Sequence, residues 1–157
     1  GLGAAYLYCR KHSLPFLRWV DCFIPCAALA QGFGRIGCFL AGCCFGKPTE
    51  SFLGVTFPAG SMAPAGIPLW PVQLFSAAGD FLLAGALLLL EKKRRGDGLL
   101  AGAYLLLYSI GRFLIEFLRA DPRGAVAALS TSQFIALFTA AAGAAILILR
   151  KRGTPHG

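Results

Sequence analysis

Four apolar stretches, each about 20 residues long, constrain the fold of this chain more than any other feature. They run from about Trp19 to Phe45, Pro71 to Leu90, Gly98 to Leu118 and Leu129 to Leu149. Hydrophobic residues make up 57% of the 157 residues and charged residues only 14%, whereas about a quarter of the residues in soluble domains are charged. A soluble core of this size cannot bury so many apolar segments. The sequence therefore predicts an all-α polytopic membrane protein.

The remaining segments complete the predicted topology. Gly1 to Tyr8 has the composition of the end of a helix, and we expect that helix to begin upstream of the chain. Residues 46–70 are rich in proline and glycine, which excludes one continuous helix and predicts an outer loop. We therefore expect one transmembrane domain over 1–157, with about four full spanning helices, the end of a truncated one and a cytoplasmic tail at 153–157.

The basic residues argue against a nucleic-acid-binding protein, although the net charge is +8. Ten of the fifteen Lys and Arg residues fall within 10–18, 92–95 and 150–152, each group beside an apolar stretch. This is the positive-inside pattern of a membrane protein. It predicts a membrane and no nucleic acid as partner, and it places the carboxy terminus in the cytoplasm.

Two arginines are predicted to lie inside the membrane, where a charge costs at least about 2.5 kcal/mol. Arg35 and Arg112 each stand about 17 residues beyond the preceding basic group, so both rise about 25 Å along a helix. At that height, just beneath the outer headgroups, two guanidinium groups can grip one phospholipid phosphate. Asp80 is a third intramembrane charge and could pair with either arginine.

Spacing also groups three polar residues on one helical face. Tyr108, Arg112 and Glu116 follow one another at intervals of four, so Glu116 can hold Arg112. The pattern is equally typical of an ion pair that only pins helices together. In the second stretch, four glycines permit close approach of a lipid headgroup, although helix packing through small residues explains them as well. They are Gly34, Gly37, Gly42 and Gly46.

The cysteines raise the question of a metal or redox site. Cys38, Cys43 and Cys44 lack a CxxC pair and neighbouring His or Asp ligands. We therefore expect no metal and no cofactor, and small apolar thiols packed in the protein interior. Cys22 and Cys26, one helical turn apart, are expected to pack in the same way. A membrane thiol-redox or metal protein remains an alternative at this stage.

Several motifs together resemble one known family. Residues Gly34 to Thr49 resemble the signature segment of prolipoprotein diacylglyceryl transferases, and Gly54 to Pro58, Pro71 to Phe75 and Tyr108 to Arg119 resemble later motifs in the same order. The resemblance covers nearly the whole chain as the carboxy-terminal part of a longer protein. It implies a bacterial inner-membrane enzyme that transfers diacylglyceryl from phosphatidylglycerol to the lipobox cysteine thiol of prolipoproteins. The products would be a thioether and glycerol 1-phosphate.

The resemblance also implies roles for individual residues. Arg35 would bind the phosphatidylglycerol phosphate, and Arg112 would stabilise the departing glycerol phosphate with support from Tyr108 and Glu116. The family's base is a His in a His-Gly-Gly stretch, which we expect upstream of Gly1. The remaining predicted substrate contacts are Gly34, Gly37, Gly42, Gly46 and Gln73.

Two departures from the family pattern leave a second function open. Cys38 stands where the family usually has Asn, and Cys43 where it often has Glu. Losing an amide and a carboxylate removes polar contacts to a headgroup. A non-catalytic relative that binds anionic phospholipid is therefore the alternative, and an upstream His-Gly-Gly would favour the enzyme.

Overall fold

The computed structural model describes residues 2–92, 97–119, 125–126 and 129–152, and over these residues the chain forms five helices and two short hairpins. Residues 93–96, 120–124 and 127–128 and the predicted cytoplasmic tail at 153–157 lie outside the described residues. The helices are α1 (Leu2–Lys11), α2 (Phe16–Leu40), α3 (Val72–Lys92), α4 (Leu99–Glu116) and α5 (Thr131–Arg152).

Helices α2 to α5 are each long and apolar enough to cross a membrane. The prediction of an all-α polytopic membrane protein with about four spanning helices is thereby confirmed. Most predicted boundaries agree to within a few residues, but α2 ends at Leu40 rather than running on to Phe45. The reason is a glycine cap at the end of that helix.

The cap is a Schellman motif. The Gly42 N–H donates to the Phe39 carbonyl and the Cys43 N–H to the Cys38 carbonyl, both at 3.0 Å. Gly42 has a φ of 65°, in the left-handed region that a residue with a Cβ rarely adopts. The helix ends here because the last helical carbonyl groups accept hydrogen bonds from the cap and not from a further helical turn.

The segment after α2 folds over the carboxyl end of the helix. A short hairpin pairs β1 (Val55–Thr56) with β2 (Pro68–Leu69). The Gly46 N–H donates to the Trp70 carbonyl at 3.0 Å, and the Lys47 N–H donates to the Leu118 carbonyl at 2.9 Å. These bonds join the glycine-rich segment both to the start of α3 and to the end of α4. A second hairpin, β3 (Ala125–Val126) with β4 (Leu129–Ser130), precedes α5.

The interior lies between α2, α3 and α4, where Ala28, Ala84, Leu87 and Leu100 are fully buried. Helix α5 packs against α4 through small residues. A Cβ on Gly143 would lie 2.9 Å from the Gly102 carbonyl oxygen, so the two backbones are in direct contact. Close approach of this kind is typical of membrane helices, which associate by van der Waals packing.

The prediction that Cys22 and Cys26 are packed inside the protein is wrong for the described structure, in which both are exposed. The buried face of α2 is formed by Asp21, Pro25, Ala28 and Gly32. The first two of these residues directly precede Cys22 and Cys26 in the sequence. Neighbouring residues on a helix point about 100° apart. The two thiols therefore face away from α3 and α4.

Asp21 joins α2 to the beginning of α4. Its side chain is fully buried, and its two carboxylate oxygens accept hydrogen bonds from the Gly98 and Ala101 N–H groups, each at 2.8 Å. The first N–H groups of a helix have no partner within the helix, and a carboxylate is favoured at this positive end. Asp21 thus caps α4 from a different helix.

We expect Asp21→Ala to lower the stability of the protein by about 2 kcal/mol, because it leaves buried N–H groups without an acceptor. The measurement is thermal unfolding of the natural full-length protein in detergent. Asp97→Ala is the matched control, since the Asp97 carboxylate pairs at 3.0 Å with an exposed Arg18; exposed pairs contribute about 0–1 kcal/mol. Equal melting temperatures for the two variants would contradict the capping role.

Candidate functional site

A cavity of about 420 Å³ lies between α2, α3 and α4. Each helix contributes an ionisable side chain to its wall: Arg35 from α2, Asp80 from α3, and Tyr108 and Arg112 from α4. Gly111 also lines the cavity, and a Cβ added there would meet nothing within 4 Å. The two arginines predicted to share one height therefore face the same space.

Arg112 is held from two directions. Its Nη2 atom lies 3.0 Å from Glu116 Oε2, one turn along α4, and donates a hydrogen bond of 3.1 Å to Ser132 Oγ at the start of α5. Arg35 lines the same cavity as Arg112. Like charges held near one another in a partly buried site favour an anion between them.

Glu116 lies between two arginines. Its Oε2 atom is 3.0 Å from Arg112 and 3.9 Å from Arg119 Nε. The Arg119 side chain is only 4% exposed, although a proline three residues later in the sequence is typical of a turn. The backbone bridge between Arg119 and Gly46 draws the end of α4 into the protein. Arg119 therefore belongs to the charged network of the site.

Asp80 lines the cavity together with Arg35 and Arg112. Asp80 is 6% exposed. Its Oδ2 atom is buried and has no hydrogen-bond partner among the described residues. The structure thus brings Asp80 to the same cavity as both partners that the sequence left open, and Arg112 is already paired with Glu116.

Tyr108 is placed by its neighbours on α4 and α2. Its ring stacks on Tyr104, with ring centroids 5.5 Å apart and planes inclined by 13°. The Tyr104 hydroxyl donates to Gln31 Oε1 on α2. The stack holds the Tyr108 phenol at the wall of the cavity, next to Arg112.

The four glycines of the signature segment divide into two pairs. A Cβ on Gly34 or Gly37 would meet nothing within 4 Å, and both glycines are exposed. Gly42 is needed for the helix cap, and a Cβ on Gly46 would lie 2.6 Å from the Trp70 carbonyl oxygen. Gly42 and Gly46 therefore have structural reasons to be glycine, whereas close approach of a ligand remains a prediction for Gly34 and Gly37.

Gln73, the remaining predicted substrate contact, is buried in the first turns of α3. It is 1% exposed, and its Nε2 donates to the Cys43 carbonyl at 2.8 Å. Its Oε1 atom has no hydrogen-bond partner in the described part of the chain. Gln73 thus holds the segment after α2 in place, and its role toward a substrate stays a prediction.

The three clustered cysteines lie together at the end of α2. The sulfur atoms of Cys38, Cys43 and Cys44 are all within 4.8 Å of one another, and each residue is partly buried. Burial, followed by hydrogen bonds with Cys38 and Cys44, raises the pKa of Cys43 to about 11. Without a bound ion, the Cys43 thiol is neutral at pH 7.

A second cavity, of about 360 Å³, lies on the other side of α4, toward α5. Tyr108 and Arg112 line both cavities, and Ser132 and Thr139 close the second one. Arg112 therefore lies between the two cavities. Ser132 could not be predicted from the sequence, because a serine at a helix start is typical of a cap.

Spanning helices and paired arginines in a cavity between them define the class of the protein: a multi-pass helical membrane protein with a charged intramembrane site. Sequence comparison gives the family. The profile of prolipoprotein diacylglyceryl transferases matches residues 1–149. The chain belongs to this family.

Curated relatives carry the same family name. A phosphatidylglycerol–prolipoprotein diacylglyceryl transferase of Clostridium tetani is 51% identical over 139 residues, covering 88% of this chain and 56% of the relative. A second, from Clostridium perfringens, is 50% identical over 141 residues, covering 90% and 55%. A third, from Finegoldia magna, is 33% identical over 148 residues, covering 94% and 56%. The chain spans about half the length of these relatives.

Proposed function

We propose that the protein transfers the diacylglyceryl group of phosphatidylglycerol to the lipobox cysteine thiol of prolipoproteins at the outer face of the bacterial inner membrane. The observation that carries this proposal is the cavity lined by both Arg35 and Arg112. Family membership and the names of the relatives support it.

The chemistry requires fixed positive charge at the phosphate. In the proposed reaction, the thiol sulfur attacks the glyceryl carbon and the bond from that carbon to the phosphate oxygen breaks. The electron pair of the broken bond leaves with glycerol 1-phosphate, which also takes up the proton of the thiol. Arg35 would bind the phosphate and Arg112 would stabilise the charge that develops on the leaving oxygen, because a preorganised donor acts strongly in a water-poor site. Glu116 and Ser132 keep Arg112 in place for this task.

The shape of the cavity suits a lipid. Leu82 on α3 and Ile110 on α4 line the cavity and are also exposed on the surface of the helices. The cavity therefore reaches the apolar exterior between these two helices. A phospholipid could place its headgroup at Arg35 and Arg112 while its acyl chains stay in the membrane.

The transfer assay uses the natural full-length protein, phosphatidylglycerol labelled in its acyl chains, and a lipobox peptide. We expect label on the peptide cysteine as a thioether and release of glycerol 1-phosphate. Lipid binding without any transfer would instead support the non-catalytic relative. That alternative is based on Cys38 and Cys43, which stand at positions where the family usually has polar residues. If the protein neither binds the lipid nor transfers the label, both functions are rejected.

We expect Gly111→Leu to reduce phosphatidylglycerol binding by roughly 10-fold or more, since the new side chain would fill part of the cavity. The matched control is Gly85→Leu. Gly85 is exposed on α3, and a Cβ there also meets nothing within 4 Å. Binding to the detergent-solubilised protein is measured with labelled lipid. Equal affinity in both variants would show that the headgroup binds elsewhere.

A further inference from the structure

The cysteine cluster is the one group of three or more potential metal ligands that the described residues bring together. Three sulfur atoms, from Cys38, Cys43 and Cys44, lie within 4.8 Å of one another, and the proposed transfer reaction uses none of them. We propose that they bind one thiophilic d¹⁰ metal ion, Cu(I) or Zn(II), through three thiolates. None of the three cysteines lines the lipid cavity.

The helix cap builds two of the three ligand positions. In a Schellman motif, the third-last helical residue and the second residue beyond the cap come into side-chain contact. Here these residues are Cys38 and Cys43, joined by the 3.0 Å hydrogen bond between their backbones. Gln73 holds the Cys43 carbonyl at 2.8 Å from α3. The backbones of both cysteines are thus fixed before any ion binds, as a preorganised site requires.

Cys44 supplies the third sulfur from an unusual backbone conformation. Its φ is 59°, in the left-handed region that is disfavoured for residues with a Cβ. Such conformations persist only where the surroundings impose them, and they concentrate at binding and active sites. In this conformation, the Cys44 sulfur lies within 4.8 Å of the sulfur atoms of Cys38 and Cys43.

The dimensions of the cluster suit a thiolate-bound ion. With metal–sulfur bonds of about 2.3 Å, three sulfur atoms around an ion are about 4 Å apart, so the thiols need to approach by less than about 1 Å. No His, Asp or Glu belongs to the cluster in the described part of the chain. Donors that are all sulfur select soft ions such as Cu(I) and Zn(II) over Mg²⁺ or Ca²⁺. Each thiol releases its proton on coordination, and no redox step is involved.

The test uses the natural full-length protein, purified in detergent with its thiols reduced. Cu(I) is offered in competition with a coloured chelator, and Zn(II) in a separate titration, which distinguishes the two ions. We expect one ion per chain in at least one titration. Cys38→Ser and Cys43→Ser should each weaken binding by at least about 100-fold, the upper end of what the loss of an outer-shell partner costs. Cys22→Ser and Cys26→Ser, at exposed sites on α2, should bind as the wild type does.

A second measurement needs no folded variant. After loading with the ion, Cys38, Cys43 and Cys44 should resist alkylation, while Cys22 and Cys26 still react, as read by mass spectrometry. Circular dichroism and size-exclusion chromatography check that the serine variants are folded. Three results would overturn the proposal: no ion on the folded wild type, equal binding in cluster and control variants, or equal alkylation of the cluster with and without the ion.

Discussion

Replacing Arg112 by alanine is expected to lower the rate of diacylglyceryl transfer by roughly 10²–10³-fold, the usual effect of removing one donor from a preorganised site for developing negative charge. Arg112 lines the cavity, and two partners hold its guanidinium there: Glu116 at 3.0 Å and Ser132 at 3.1 Å. Arg112→Lys should lose less activity, because lysine keeps the charge but not the planar fork of donors. The transfer assay on the natural full-length protein gives both values.

Arg35→Ala should act differently from Arg112→Ala. If Arg35 binds the phosphate in substrate and transition state alike, its loss raises KM more than it lowers kcat. Arg10→Ala is the control for a general effect of charge, because Arg10 is exposed on α1, away from the cavity. Unchanged transfer in both cavity variants would end this assignment of the site, even if the protein proved to be a transferase.

Gly46→Ala is expected to destabilise the protein by about 3 kcal/mol, at the upper end of the range for overpacking. The new Cβ would lie 2.6 Å from the Trp70 carbonyl oxygen and 2.8 Å from that of Leu118. Both are backbone atoms, so neither can move aside by changing a rotamer. Thermal unfolding in detergent measures the loss, and expression should fall with it.

Gly34→Ala and Gly37→Ala are the matched controls for Gly46→Ala. A Cβ at either position meets nothing within 4 Å, and alanine is the better helix former by about 1 kcal/mol. We therefore expect unchanged or slightly higher melting temperatures. A loss of phosphatidylglycerol binding in these stable variants would support close approach of a lipid to the helix. Equal stability of all three variants would contradict the structural role of Gly46.

Features that depend on spacing along one helix could be predicted from the sequence. The common face of Tyr108, Arg112 and Glu116 follows from intervals of four residues. Counting residues from the basic groups predicts that Arg35 and Arg112 lie at the same height. The spanning segments followed from apolar length in the same way. Each of these predictions needs only the pitch of a helix and the thickness of a membrane.

Features that depend on contacts between distant parts of the chain could not be predicted. Asp21 caps α4 by accepting from Gly98, which lies 77 residues later, and nothing near Asp21 in the sequence indicates that partner. Arg119 lies close to a proline in the sequence, yet its side chain is buried and a backbone bridge joins it to Gly46. For Cys22 and Cys26, a helical repeat shows that two residues share a face but not which face is covered.

Helix α4 is fastened at both ends, to Asp21 at its first turn and to Lys47 just beyond its last. The number of residues between these two attachment points therefore determines the position of Arg112 along α4. One inserted or deleted residue would displace the guanidinium by about 1.5 Å and swing it by about 100°, out of the cavity. The carboxylate that binds the first turn of α4 therefore determines the position and the direction of an arginine near the other end of the same helix.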